Sequence, residues 1–245
     1  MTSFSAMQRL RRGLIDKLLE FSNGLDDSTV DKIITYAECL VTGDNQEISM
    51  TKFMSEMTHQ FSLNSYYMIT TIFDVFNISR RGTRKSLTLE QYCKLICTFL
   101  TTNLDVKIDF VFSVYDVDQD GFITRAEAYT HLKPTIPQED DEQEDMLKEL
   151  IELVLKAVDR DGNGRIDLEE FRELVKKDVL CIELLGQCLP EEKDVQKFKN
   201  KLLNKSSYEV KELFEAEQAK LGQEYFGFGK PQSYYPIKLE FSLLL

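Results

Sequence analysis

Histidine is scarce. The 245-residue chain carries two, His59 and His131, and neither stands in a triad or metal-ligand spacing, so each is assigned a surface or structural role. A Gly-rich phosphate loop, a nucleophile elbow and an HExxH helix are all missing, and the chain is expected not to be an enzyme. No apolar run is long enough to span a bilayer, so no transmembrane segment is expected. Gly does not follow Met1, so the chain is not expected to be myristoylated. Positive charge is outnumbered, with 30 Lys and Arg against 42 Asp and Glu. The formal charge of −12 disfavours nucleic acid or an anionic membrane as a partner. The cysteines are odd in number: Cys39, Cys93, Cys97, Cys181 and Cys188. With no secretory signal ahead of them they read as reduced thiols in the cytoplasm. Cys93 and Cys97 share a helix face, but no second Cys or His pair completes a zinc site.

Acidic loops dominate what is present. Residues 116–127 and 159–170 each match the twelve-residue EF-hand calcium loop position by position. Calcium is a hard cation that takes six to eight oxygen ligands. The first loop offers Asp116, Asp118 and Asp120 at positions 1, 3 and 5, the carbonyl of Phe122 at position 7, and Thr124 at position 9. Glu127 at position 12 gives both its oxygens. The second repeats the plan with Asp159, Asp161, Asn163, the Arg165 carbonyl, Asp167 and Glu170. Gly121 and Gly164 stand at position 6, where the chain turns sharply and a Cβ would be costly. Ile123 and Ile166 occupy position 8, where paired loops bridge through a short strand. Two ions are therefore expected, both in the C-terminal lobe.

The same framework occurs four times. Ile108, Phe112 and Tyr115 precede the first loop by eight, four and one residues, and Ile151, Leu155 and Val158 precede the second likewise. Ile69, Phe73 and Phe76 hold those offsets before Asn77, and Ile33, Ala37 and Leu40 hold them before Val41. Four helix–loop–helix units make two pairs, because a single unit cannot bury its apolar face. The earlier two have lost their metal chemistry. The loop from Val41 has Gln46 where Gly belongs and Lys52 where the bidentate Glu belongs. The loop from Asn77 keeps Gly82 but is crowded by Arg80, Arg81, Arg84 and Lys85, with Gln91 at the terminal place. The fold class is thus all-α, a two-lobed calmodulin-like arrangement of four EF-hands, two degenerate and two calcium-competent. The boundaries are 1–100 for the N-terminal lobe, 101–190 for the C-terminal lobe, and 191–245 for a C-terminal helix and tail.

Other stretches carry weaker signals. Residues 7–22 read as an amphipathic helix decorated by Arg9, Arg11, Arg12 and Lys17. That cluster is either a solvated face or a contact for an acidic partner such as tubulin. Met50, Met54 and Met57 fill a core or line a groove. Residues 138–145 read as an acidic connector ahead of a helix at 146–158, a further helix is expected near 179–187, and 191–221 has helical periodicity. Residues 222–245 mix Gly, Pro and aromatics and fit neither a long helix nor plain disorder.

Four hands in two lobes resemble the neuronal calcium sensor and calcineurin B superfamily. The run from Asp105, through Asp-Val-Asp-Gln-Asp-Gly-Phe-Ile-Thr at 116–124 and Asp-Arg-Asp-Gly-Asn-Gly at 159–164, to Leu-Leu-Gly-Gln-Cys-Leu-Pro at 184–190 is similar to the calaxin family. That resemblance implies a calcium sensor of the ciliary or flagellar axoneme, associated with outer-arm dynein, its docking complex or microtubules. The family's first lobe has a metal-competent hand, from which residues 77–91 depart. An N-terminal lobe holding a partner regardless of calcium, and a C-terminal lobe switching on it, are expected. A structural docking subunit and a soluble calcium buffer are the competing expectations.

Overall fold

A computed structural model describes residues 4–41, 47–77, 86–135 and 141–224. The loop residues at 42–46 and 78–85, positions 136–140 of the acidic connector, and the tail from 225 lie outside the described residues, so the readings of Gln46, Gly82 and the arginines around it have no structural counterpart here.

Helices dominate, as the periodicity predicts. The first hand runs from α2 (Asp27–Glu38) through strand β1 (Glu47–Ser49) to α3 (Met50–Phe61), behind a leading helix α1 (Phe4–Ser22). The second runs from α4 (Tyr66–Asn77) through β2 (Ser86–Thr88) to α5 (Leu89–Leu100). The third joins α6 (Leu104–Tyr115), β3 (Phe122–Thr124) and α7 (Arg125–Leu132), and the fourth joins α8 (Asp141–Val158), β4 (Arg165–Asp167) and α9 (Leu168–Lys177). A 3-10 turn at Val179–Glu183 follows, then α10 (Glu192–Leu203) and α11 (Ser207–Glu224).

Boundaries differ from the sequence reading in three places. Helix α8 begins at Asp141, so 141–145 are helical rather than connector. The helix expected near 179–187 is one 3-10 turn, capped by the Asp178 side chain accepting from Leu180 N, and Gly186 beyond it has a left-handed φ of +132°. The 191–221 periodicity is two helices, separated at residues 204–206.

Two compact units are present. The first takes its described residues from 1–63, 76–106 and 190–231; the second takes its from 64–75 and 107–189. A division at residue 100 therefore differs from the observed clustering at α4, most of which groups with the second unit, and at α10 and α11, which group with the first. The repeat register explains both cores. All three framework residues of the first, third and fourth hands are buried, as are Ile69 and Phe73 of the second, with Phe76 half-buried. In the first unit Ile48 of β1 faces Leu87 of β2 in an antiparallel pair, and both are fully buried. Helix α10 packs on α2, α3 and α5, and α11 packs on α2. Val195, Phe198, Leu202, Val210 and Phe214 of these two helices are buried, with Phe198 and Phe214 meeting the Tyr36 ring edge-on or tilted at 5.0 and 4.4 Å between centroids. The apolar face of the first unit is thus covered by the chain's own helices. Met57 is buried and Met50 and Met54 are half-covered, so the methionines serve the core.

Candidate metal centre

The second unit brings its two loops together through their eighth residues. Strands β3 and β4 pair antiparallel with Ile123 opposite Ile166, and both side chains are 1% exposed. Phe122 and Arg165 add a link across the loops, the guanidinium lying 3.8 Å over the ring. Each loop turns through left-handed residues at positions 4 and 6: Gln119 and Gly121 in the first, Gly162 and Gly164 in the second. Gly121 and Gly164 have φ of +91° and +82°, which an L side chain rarely adopts.

Those turns aim backbone N–H groups at the first ligand of each loop. Asp116 accepts from Asp120 N at 3.1 Å and Gly121 N at 3.0 Å; Asp159 accepts from Gly162 N and Gly164 N, both at 2.8 Å. Burial pushes the Asp116 carboxyl up from its ordinary range, whereas the Gly164 N–H holds the more exposed Asp159 below it. Position 12 closes each loop from the first turn of its exit helix. Glu127 Oε1 accepts from Val117 N at 2.8 Å and Oε2 from Thr124 N at 2.8 Å; Glu170 Oε1 and Oε2 accept from Arg160 N at 2.8 Å and Asp167 N at 3.0 Å.

Ligand atoms of Asp116, Asp118 and Glu127 lie within 4.8 Å of one another, as do those of Asp159, Asp161 and Glu170. Carboxylates that close repel unless a cation sits among them. Asp116, Glu127 and Glu170 are 5%, 8% and 9% exposed, yet among the described residues no lysine or arginine pairs with them. Buried anions without a cationic partner are costly, and that deficit fits a divalent ion. The remaining predicted ligands are on the loops but turned to local bonds. Asp120 accepts from Phe122 N and Asn163 from Arg165 N, both at 2.9 Å, while Thr124 and Asp167 cap α7 and α9 by accepting from Glu127 N and Glu170 N.

Two features supporting the centre were not legible in sequence. Tyr115, one residue before Asp116, donates its hydroxyl to Gly186 O at 2.7 Å. The turn it meets is tied by Glu183, which accepts from Cys188 N at 3.0 Å and Leu189 N at 2.8 Å, and a Cβ at Gly186 would lie 3.0 Å from Met68 Cε. The Leu-Leu-Gly-Gln-Cys-Leu-Pro run thus holds the end of α6. His131 is buried and its Nε2 is 3.0 Å from Tyr115 O, linking α7 back to that point, while burial lowers its pKa. Proximity of a buried His to a carbonyl sixteen residues away leaves no signature in spacing.

The basic residues of α1 are engaged within the chain. Arg11 binds Asp31 at 2.7 Å and Glu38 at 2.8 Å, Arg12 binds Asp16 and Asp27, and Lys17 reaches Glu90 at 3.3 Å. No helix among the described residues is long and apolar enough to cross a membrane.

Known proteins are similar to this chain in sequence. An EF-hand domain pair model covers residues 105–176, which span both loops. Calaxin from Danio rerio is 29% identical over 189 residues, covering 71% of this chain and 88% of that protein. Calaxin from Homo sapiens is 34% identical over 103 residues, 41% of this chain and 48% of that protein. Guanylyl cyclase-activating protein 1 from Lithobates pipiens is 30% identical over 121 residues, 49% of this chain and 58% of that protein. Paired loops with converging carboxylates, inside a fourfold helical repeat similar to the calaxins along most of its length, make this chain a calaxin-like EF-hand protein of the calcium-binding sensor class.

Proposed function

We propose that the second unit takes up two calcium ions, one on Asp116, Asp118, Asp120, the Phe122 carbonyl, Thr124 and Glu127, the other on Asp159, Asp161, Asn163, the Arg165 carbonyl, Asp167 and Glu170. The observation that carries this is the pair of carboxylate clusters, each closed by a largely buried glutamate, with no lysine or arginine pairing with Asp116, Glu127 or Glu170 among the described residues. When bound, calcium supplies the positive charge these clusters lack. Glu127 and Glu170 are the residues that transmit loop occupancy, because each sits in the first turn of its exit helix while accepting from the loop's second residue. Their movement would rotate α7 and α9 and uncover apolar surface for a target helix.

The proposed partner rests on the resemblance to the calaxin family. Likeness to calaxins supports a place at the axoneme of cilia or flagella, on outer-arm dynein or its docking complex, where the chain regulates motility as a non-enzymatic subunit. Tubulin contact through α1 is the less favoured route, because Arg11, Arg12 and Lys17 already hold carboxylates. Calorimetric calcium titration of the full chain, with and without an axonemal outer-arm dynein fraction, tests both parts. Two sites whose affinity rises in the presence of the fraction are expected. No uptake at micromolar free calcium overturns the metal reading, and uptake unaffected by the fraction overturns the partner.

A further inference from the structure

The third residue of the exit helix occupies one structural position in all four hands. Its backbone N–H donates to the side chain that caps the helix: Lys52 to Ser49, Gln91 to Thr88, Glu127 to Thr124 and Glu170 to Asp167. In the second unit this position carries the two loop-closing glutamates. In the first it carries Lys52 and Gln91, and both side chains are used. Gln91 Nε2 donates to Phe76 O at 2.5 Å, tying the first turn of α5 to the last turn of α4 without an ion. Lys52 Nζ donates to Gln218 Oε1 on α11.

Gln218 continues the link inward. Its Nε2 donates to Glu56 Oε1, and the other oxygen of Glu56 accepts the Tyr36 hydroxyl, which lies 3.0 Å from the Tyr92 hydroxyl. Glu56 is fully buried, so it depends on such donors, and one of them comes from α11. A second polar tie lies alongside: Lys201 of α10 reaches Gln60 at 3.0 Å and Glu217 at 2.9 Å, and Gln60 Nε2 donates to Glu217 at 3.1 Å. The apolar part of the seat is Val195, Phe198 and Leu202 from α10 with Val210 and Phe214 from α11.

We propose that the first hand is a receptor for the chain's own C-terminal helical hairpin, residues 192–220, with Lys52 as its anchoring residue. An ammonium at the terminal ligand position repels a cation, and a side chain lying between Lys52 and Glu56 has to accept from the first and donate to the second, which the Gln218 carboxamide does and a carboxylate would not. The seat therefore selects a helix that presents an aromatic and, four residues on, a carboxamide. It is filled whether or not calcium is present, and a foreign helix enters the first unit only by displacing α11. Calcium uptake by the second unit is not needed for any of this.

Cys39 reports on the contact. It caps α2, its Sγ lies 4.0 Å from Lys211 O on α11, and burial, with Glu215 adding to it, pushes its thiol up to about 11. Iodoacetamide labelling of Cys39 in the full chain, read peptide by peptide by mass spectrometry, measures how often α11 leaves. Labelling should be slow in the parent, with or without calcium. Lys52→Ala should speed it by about tenfold, the scale of a lost charged hydrogen bond. Lys52→Arg should keep the slow rate, and Phe214→Ala should speed it further. Should Phe214→Ala fail to fold, shown by lost helical circular dichroism, the Ala and Arg variants at position 52 still decide. A Lys52→Ala rate equal to the parent's, or a parent rate that calcium changes, overturns the proposal.

Discussion

Replacing Glu127 by Gln isolates the charge at the position that closes the first metal loop. The substitution keeps the shape and leaves one oxygen for either Val117 N or Thr124 N, each now bonded to Glu127 at 2.8 Å. The amide nitrogen then faces an N–H it cannot accept from. A unit negative charge about 2.4 Å from a divalent ion contributes about 3 kcal/mol even at the dielectric of water, so its removal should weaken that site at least about 10²-fold. Because Ile123 and Ile166 pair the loops, the second site should weaken too, by a smaller factor. Calorimetry on the full chain should show one site lost from the micromolar range and one retained. Two sites with affinities within about threefold of the parent's would refute the assignment of Glu127 as a ligand.

The loop pairing has its own test: Ile166→Ala, at a side chain 1% exposed, should cost about 2–5 kcal/mol in thermal or chemical unfolding and lower the Hill coefficient of calcium binding. Phe198→Ala removes a buried ring packed on Tyr36, Phe61 and Phe214, and should cost about 3–5 kcal/mol in urea unfolding with calcium binding in the second unit unchanged. Asp26 caps α2, and hydrogen bonds from Thr29 hold its carboxyl below the ordinary range. A depressed pKa contributes stability that is present at neutral pH and lost as pH falls through the folded value. Asp26→Ala should thus cost about 1 kcal/mol at pH 7, a difference that vanishes in acid; a difference constant between pH 7 and pH 3 would exclude the cap.

Much of the metal centre was legible because its signals are local. Loop chemistry repeats at fixed offsets, and a left-handed turn needs Gly at Gly121 and Gly164, so the turns, the loop pairing and the convergence of the carboxylates follow from spacing alone. The fourfold repeat was readable for the same reason: Ile33, Ile69, Ile108 and Ile151 mark one helix face at one distance from each loop, and all four are buried. Identity of a charged residue, by contrast, says little about where it goes. Nothing in its spacing marks Glu56 as fully buried; Arg11, placed in a basic cluster that is a solvated face or a partner contact, holds Asp31 and Glu38. Lys52 was legible as a lost ligand but not as the donor to Gln218, a residue 166 positions away. Sequence alone therefore determined the four hands and the two loops in which carboxylates converge, since those depend on contacts within a dozen residues. Only the tertiary structure decided that α10 and α11 fill the groove of the first unit, because that choice depends on which distant surfaces bury each other best.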